Sequence, residues 1–266
     1  MTTTTAPELR EFIIVGQCQG TGYTLWDIAP APADPVRRAM VLEEIGVDAA
    51  DTFGDVNTET GATAREALDN FLAVMREQSG LDDYGLTTDS RTERIDEVDA
   101  VRAHGASTKA RVEIIATVTP GADSFAITGA HPLDTDVQAR IHGGITRAGI
   151  TFPAGEVTVR ITDHRGAADA LDLATACAIL GAAGQIDRYA LDAIVCLGEL
   201  SCDGFVCDVS DLPALMETAY LGGHRTVLVP ATQAFQARRT GFGLTVIGAR
   251  HLTQAVDAVN RLAREE

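Results

Sequence analysis

The side chains best placed to do chemistry gather in one stretch, Arg165–Phe205, which reads RGAADALDLATACAILGAAGQIDRYALDAIVCLGELSCDGF. Asp172 opens a run of small residues there. Glu199 precedes a tight Ser201-Cys202-Asp203-Gly204 turn, and His164 stands just ahead of the stretch. A hydroxyl or thiol becomes a useful nucleophile when a neighbouring base takes its proton. Ser201 and Cys202 have no base within local sequence reach, so His164 and Cys202 form only a weak alternative for acid–base or nucleophilic work. A solitary histidine at a strand end is more often an ordinary surface residue.

The other chemical patterns are mostly negative. The five cysteines are Cys18, Cys177, Cys196, Cys202 and Cys207. Their odd number argues for reduced thiols, and their spacings match no paired CxxC zinc template. Cys177 and Cys196 sit in apolar runs and are expected to pack in a core. Gly16, Gly20 and Gly22 lie close together, but Tyr23 follows where a phosphate-binding loop needs Lys and then Ser or Thr. The only lysine in the chain is Lys109, so a Walker-type ATPase site is excluded and these glycines read as a turn. Asp82, Asp83, Asp89, Glu93, Asp96, Glu97 and Asp99 are dense enough to suggest a cation. They lack the EF-hand spacing and read as a solvated face. No metal and no cofactor is expected.

The formal net charge is −17, with 20 acidic against 8 basic residues in 1–107 and 18 against 13 in the remainder. A field of that sign repels a phosphate backbone, so direct non-specific nucleic-acid binding is not expected. Arg238, Arg239 and Arg250 are the only hint of a basic patch. No apolar run has the length of a membrane span. The opening MTTTTAPELR has neither the basic nor the apolar part of a secretory signal, and a cytoplasmic location is expected.

Periodicity then places the elements that would hold these residues. Residues 1–8 read as a flexible tail, 9–80 as a small acidic α+β domain, 81–107 as a polar acidic linker and 108–266 as a larger α/β domain. Phe12–Gln17 and Tyr23–Ile28 read as a hairpin. Pro35–Ile45 and Thr63–Gln78 read as helices, the second with Leu68, Phe71, Leu72 and Met75 on one face. Strands are expected at Arg111–Thr119, Ser124–Gly129, Glu156–Thr162, Ile194–Leu200, Phe205–Cys207, Thr226–Val229 and Leu244–Ile247. Between them come helices near 135–148, 168–180, 212–220 and 233–239, with a closing helix through 252–262. Asp134 or Thr135 can cap the first of these. Alternation of this kind predicts a two-layer α/β (α+β) domain.

The second half resembles a known family on five blocks: SFAITGA (Ser124–Ala130), GITFPAGEVTVRIT (Gly149–Thr162), DLATACAILGAAGQI (Asp172–Ile186), VCLGELSCDGFV (Val195–Val206) and GGHRTVLVPA (Gly222–Ala231). Their order resembles the magnesium-chelatase ChlI-type domain, as in the N-terminal domain of ComM-type proteins, from about Thr108 to Leu262. The resemblance implies the fold of the Lon protease proteolytic domain. The Asp172-Leu173-Ala174 run is also similar to the Lon-like domain of RadA-type recombination proteins. It marks Gly166, Asp172, Gly181, Gly184, Gly198, Glu199, Asp203, Gly204, Gly222 and Gly223 as structural residues of the motif. Residues 1–107 carry no resemblance.

A Lon-type peptidase uses a Ser–Lys dyad, which the resemblance would place just before Asp172 and near Pro213. No Ser, Thr or Cys lies between His164 and Asp172, and Ser210–Ala214 contains no lysine. Peptidase activity is therefore not expected. The expectation is a non-catalytic, self-associating scaffold or binding protein that partners a separate ATPase or DNA-processing machine. The competing readings are a divergent hydrolase with a relocated active site and a structural subunit of a larger assembly.

Overall fold

A computed structural model describes residues 9–32, 35–44, 55–88, 90, 92, 95, 99–129, 135–162 and 170–265. The proposed tail, most of the acidic cluster (Asp89, Glu93, Asp96 and Glu97), the candidate cap Asp134, and both His164 and Gly166 lie outside the described residues. The chain divides into two units, with the division between Asp99 and Ala100.

In the first unit, β1 (Arg10–Gln19) and β2 (Gly22–Pro30) form the expected antiparallel hairpin. A two-residue turn at Gly20-Thr21 makes the strands longer than the apolar runs alone suggested. α1 spans Pro35–Glu44. A strand not anticipated, β3 (Asp55–Gly61), pairs with β1. Its sequence DVNTETG is polar, and no alternation announced it. The four-stranded sheet has the order β3-β1-β2-β4, with β4 at Gly85–Leu86. α2 (Ala64–Ser79) starts where Thr63 accepts the Glu66 amide hydrogen bond and stops at Gly80, whose φ is +69. Its Ala64, Ala67, Leu68, Phe71 and Leu72 pack against Phe12, Ile14, Tyr23, Leu25 and Ile28.

The proposed linker over 81–107 is corrected by this arrangement. Tyr84 and Ile95 are buried in the first unit's core. The buried carboxylate of Asp99 accepts from the Ala64 amide at 2.8 Å and from Arg10 at 2.7 Å, so it holds the start of α2. Val101–Ala106 form β5, the strand at the centre of the second unit's sheet. The sequence VRAHGA concealed this strand because it lacks the β-branched run that marks most buried strands.

The second unit is built on a seven-stranded sheet of order β13-β12-β9-β5-β6-β8-β7. The remaining strands are β6 (Arg111–Thr119), β7 (Ser124–Gly129), β8 (Glu156–Ile161), β9 (Ile194–Cys196), β12 (Thr226–Pro230) and β13 (Thr245–Ala249). A separate two-stranded ribbon joins β10 (Glu199–Leu200) to β11 (Val206–Cys207). The helices are α3 (Thr135–Arg147), α4 (Asp172–Ala182), α5 (Arg188–Asp192), α6 (Leu212–Leu221), α7 (Ala234–Arg238) and α8 (Leu252–Glu265). The fold is thus mixed α/β. β8 alternates buried and exposed residues, as a strand covered on one face must. β9 and β12 bury both faces, which is why IVCL and TVLVP are apolar without alternation. Two layers therefore hold at the β6-β8-β7 end. At the β9-β12 end α6 and α7 add a third, packing Leu212, Leu215, Met216, Ala219, Ala234 and Ala237 on Val195, Leu197, Val227 and Val229.

α4 is the centre of the larger core. Every residue from Asp172 to Ala182 is buried. A helix apolar on all sides is stable only when surrounded, and its alanines let the sheet approach closely. A Cβ on Gly181 would lie 2.8 Å from Val101 Cγ1 and 3.2 Å from Leu191 Cδ2. We therefore expect Gly181→Val to overpack the α4–β5 contact and cost about 2 kcal/mol. Urea unfolding of the variant checks this, and a loss below about 0.5 kcal/mol would show that the contact yields.

Candidate functional site at the Asp172 turn

Asp172 begins α4 but does not cap it in the usual way, since Leu171 holds the N-cap position with no side-chain hydrogen bond. The Asp172 carboxylate lies 4% exposed beneath α3. Arg140 Nε donates to its Oδ2 at 2.7 Å and Arg140 Nη2 to its Oδ1 at 3.2 Å. The Leu200 amide donates to Oδ2 at 3.2 Å. A charge buried at this depth needs a partner, and here it has a two-pronged guanidinium, a backbone amide and the favourable N-terminal end of α4. The bond to Asp172 in turn raises the affinity of Arg140 for its own proton. The adjacent backbone completes the junction: Leu173 N–H donates to Gly198 O at 3.0 Å, and Gly198 N–H to Ala170 O at 3.2 Å.

The Asp-Gly turn follows directly. Ser201 Oγ accepts from the amides of Phe205 at 3.0 Å and Asp203 at 3.3 Å. Gly204 adopts φ +84, and a Cβ there would lie 2.8 Å from Gly144 O and 3.0 Å from His251 Nε2. The turn is thus pressed onto α3 and the start of α8. Arg147 donates to Cys202 O at 3.1 Å, and the exposed Asp203 carboxylate lies 3.9 Å from the same guanidinium. His251 Nε2 donates to Asp203 O at 3.2 Å. The exposed Phe205 ring meets His251 edge-on at 5.3 Å.

The motif residues are therefore dispersed through the unit. Asp172, Gly198, Glu199, Asp203 and Gly204 come together at this turn. Gly181 lies against Val101, Gly184 turns the chain after α4, and Gly222 and Gly223 end α6. The stretch near Pro213 forms the start of α6, with Pro213 exposed and Leu212 buried. Lys109 is exposed in the turn between β5 and β6.

The thiols divide by depth. Cys177 and Cys196 are fully buried. The Cys177 hydrogen bond and then burial push the Cys196 thiol far up. Burial and the nearby Glu199 carboxylate also push Cys207 up, which disfavours its thiolate. Cys202 is exposed. Among the described residues, no three His, Cys, Asp or Glu side chains come together as a metal site.

Two features escaped sequence reasoning. Arg140 had no motif of its own, although a carboxylate heading an all-apolar helix implies a cation somewhere. The second is a buried pair of histidines, His104 and His224, whose rings lie 4.7 Å apart on separate elements.

The Asp172–Arg140 pair should be asymmetric. Arg140→Met leaves a buried carboxylate with one amide donor and should cost about 3 kcal/mol. Asp172→Asn frees a guanidinium that is already 34% exposed, and should cost only about 1–2 kcal/mol. Denaturant midpoints of both variants check the order, and an equal or reversed order would contradict it.

No curated protein matches the chain. Residues 114–233 match the family model described as subunit ChlI of Mg-chelatase. That segment runs from β6 to the residue before α7 and contains α3, α4, the Asp172 junction and the Asp-Gly turn, so the second unit of this chain carries a ChlI-type domain.

Proposed function

We propose that the chain is a non-catalytic scaffold or binding protein, a ComM-like pseudoenzyme of the cytoplasm. In this reading it self-associates and works beside a separate ATPase or DNA-processing partner. The observation that supports it is the way the turn spends its polar groups. Ser201 Oγ accepts two amides of its own turn. The Asp172 carboxylate is filled by Arg140 and the Leu200 amide. Burial and then the Glu199 carboxylate push the Cys207 thiol up, away from the reactive thiolate. The Ser201 oxygen and the Asp172 carboxylate thereby serve to hold the turn and the head of α4 in place.

Binding is supported by what lies outside. Tyr220, Leu221 and Phe235 are exposed on α6 and α7, with the Arg239 guanidinium 5.6 Å from the Phe235 ring centre. Exposed aromatics beside arginine suit a protein interface. The acidic first unit would add selectivity by favouring basic protein surfaces over phosphate backbones.

Light scattering of the full chain across micromolar concentrations should give a mass above the monomer. A constant monomer mass would remove the self-associating part of the proposal. Casein should remain uncut; turnover that vanishes in Cys202→Ala would replace the scaffold with a relocated hydrolase. Affinity capture from the native cell, with an ATPase or DNA-processing enzyme recovered, tests the partner.

A further inference from the structure

The buried histidine pair lies away from the Asp172 turn and is not used by the proposed scaffold. His104 is on β5, two residues before Ala106. Ala106 packs under α6, so His104 shares that face of the sheet. His224 follows the Gly222-Gly223 turn that ends α6 and leads into β12. Both residues are buried, at 5% and 9% exposure. The pair therefore ties the end of α6 to the central strand.

Their hydrogen-bond partners define the protonation state. His104 Nε2 lies 2.9 Å from Asp192 Oδ1 at the end of α5, and a carboxylate only accepts, so this nitrogen carries the hydrogen. His104 Nδ1 is buried with no hydrogen-bond partner. His224 Nδ1 lies 3.4 Å from Ala193 O, which also only accepts. His224 Nε2 lies 3.5 Å from Arg111 Nη1, and a guanidinium only donates. Both contacts of His224 are satisfied together only by the neutral ring.

Charged groups near the pair come from β5, β6 and α5. β6 supplies Arg111 and Glu113, the second directly across the ladder from His104. β5 supplies Arg102, 3.5 Å from Glu113. α5 supplies Asp192. The carboxylates are already engaged, Glu113 by Arg102 and Asp192 by His104. A proton on His224 Nε2 would face the Arg111 guanidinium. It would also place a cation against the His104 ring, 4.7 Å away.

We propose that His224, packed on His104, is an acid-sensitive latch: while neutral it holds the Leu221–Arg225 turn against β5, and its protonation releases that turn together with the exposed Tyr220 and Leu221 at the end of α6. Burial first, and then His104 and Arg111, lower the affinity of His224 for a proton in the fold. The unfolded turn binds that proton more readily. The contribution of the latch is therefore complete above the free histidine value of about 6.5 and is lost as the pH falls below it. Asp192, whose carboxyl is lowered chiefly by the His104 hydrogen bond, stays ionised across this window and is lost only at lower pH, below the free carboxylate value of about 3.9.

Hydrogen exchange of the full chain between pH 7.5 and 5, corrected for intrinsic rates, reads this directly. Amides of 219–226 should lose protection on the order of tenfold with a midpoint below 6.5, while those of α4 keep theirs. His224→Gln keeps an acceptor for Arg111 and cannot take the proton, so its turn should exchange independently of pH. Unchanged protection in the natural chain, or the same loss in His224→Gln, overturns the latch. If the variant does not fold, the natural chain still decides. A midpoint near 4 would assign the change to a carboxylate, and imidazole NMR titrations that do not track the release would overturn the proposal.

Discussion

A buried carboxylate is the constraint on which the second unit depends. Asp172 stands at the head of a helix with no polar face, in a place where water cannot serve it. Its charge must be met from within the protein, and Arg140 of α3 and the Leu200 amide meet it. Three elements distant in sequence are thereby brought to one point: α3, α4 and the β10 ribbon. Once they meet, the Asp-Gly turn has only one place to lie, against Gly144 and His251. The hydrophobic effect drives α4 into the core, but it has no direction. The ion pair fixes the helix's end and its rotation. A wholly apolar substitute of the same shape could be as stable, and it would orient the turn less strictly.

The sheet adds a second constraint through its coverage. Where β6, β8 and β7 are covered on one face, the open face carries Thr117, Thr158 and Arg160. Where β9 and β12 are covered on both, the strands are short and apolar. β5 lies at the change between the two regimes. Its small residues admit α4 on one side, and its histidine receives the end of α6 on the other. A strand that serves both layers cannot be uniformly large and apolar, and that is why its sequence looks unlike a strand.

Much of this was legible in the chain. β6, β7, the amphipathic helix α2 and the Asp-Gly turn declared themselves through alternation, periodicity and turn chemistry. The motif blocks from Ser124 to Ala231 pointed to the ChlI-type domain that the family comparison supports over 114–233. The rest depended on distance in sequence rather than on local pattern. β3 is polar because it lies at a sheet edge. Arg140 and Asp172 are separated by all of β8, and no spacing rule links them. His104 and Asp192 lie still farther apart, and no local pattern of charges or aromatics marks a pair that forms only after the sheet closes. Composition makes the acidic run at 82–99 a solvent-facing stretch, yet one of its members, Asp99, is 6% exposed and holds the start of α2.

The division of the chain into two units falls between Asp99 and Ala100. The Asp99 carboxylate belongs to the first, through the Ala64 amide, while the Ala100 carbonyl accepts from Arg188 of the second at 2.6 Å. Modular boundaries drawn from similarity do not respect this join. A fragment starting at 108 would lack β5, leaving the edges of β6 and β9 bare where their shared neighbour belongs. The segment 114–233 would also forfeit β13 and α8. The recognisable portion of this chain is therefore smaller than the second unit, which takes in β5, β13 and α8 and begins at Ala100.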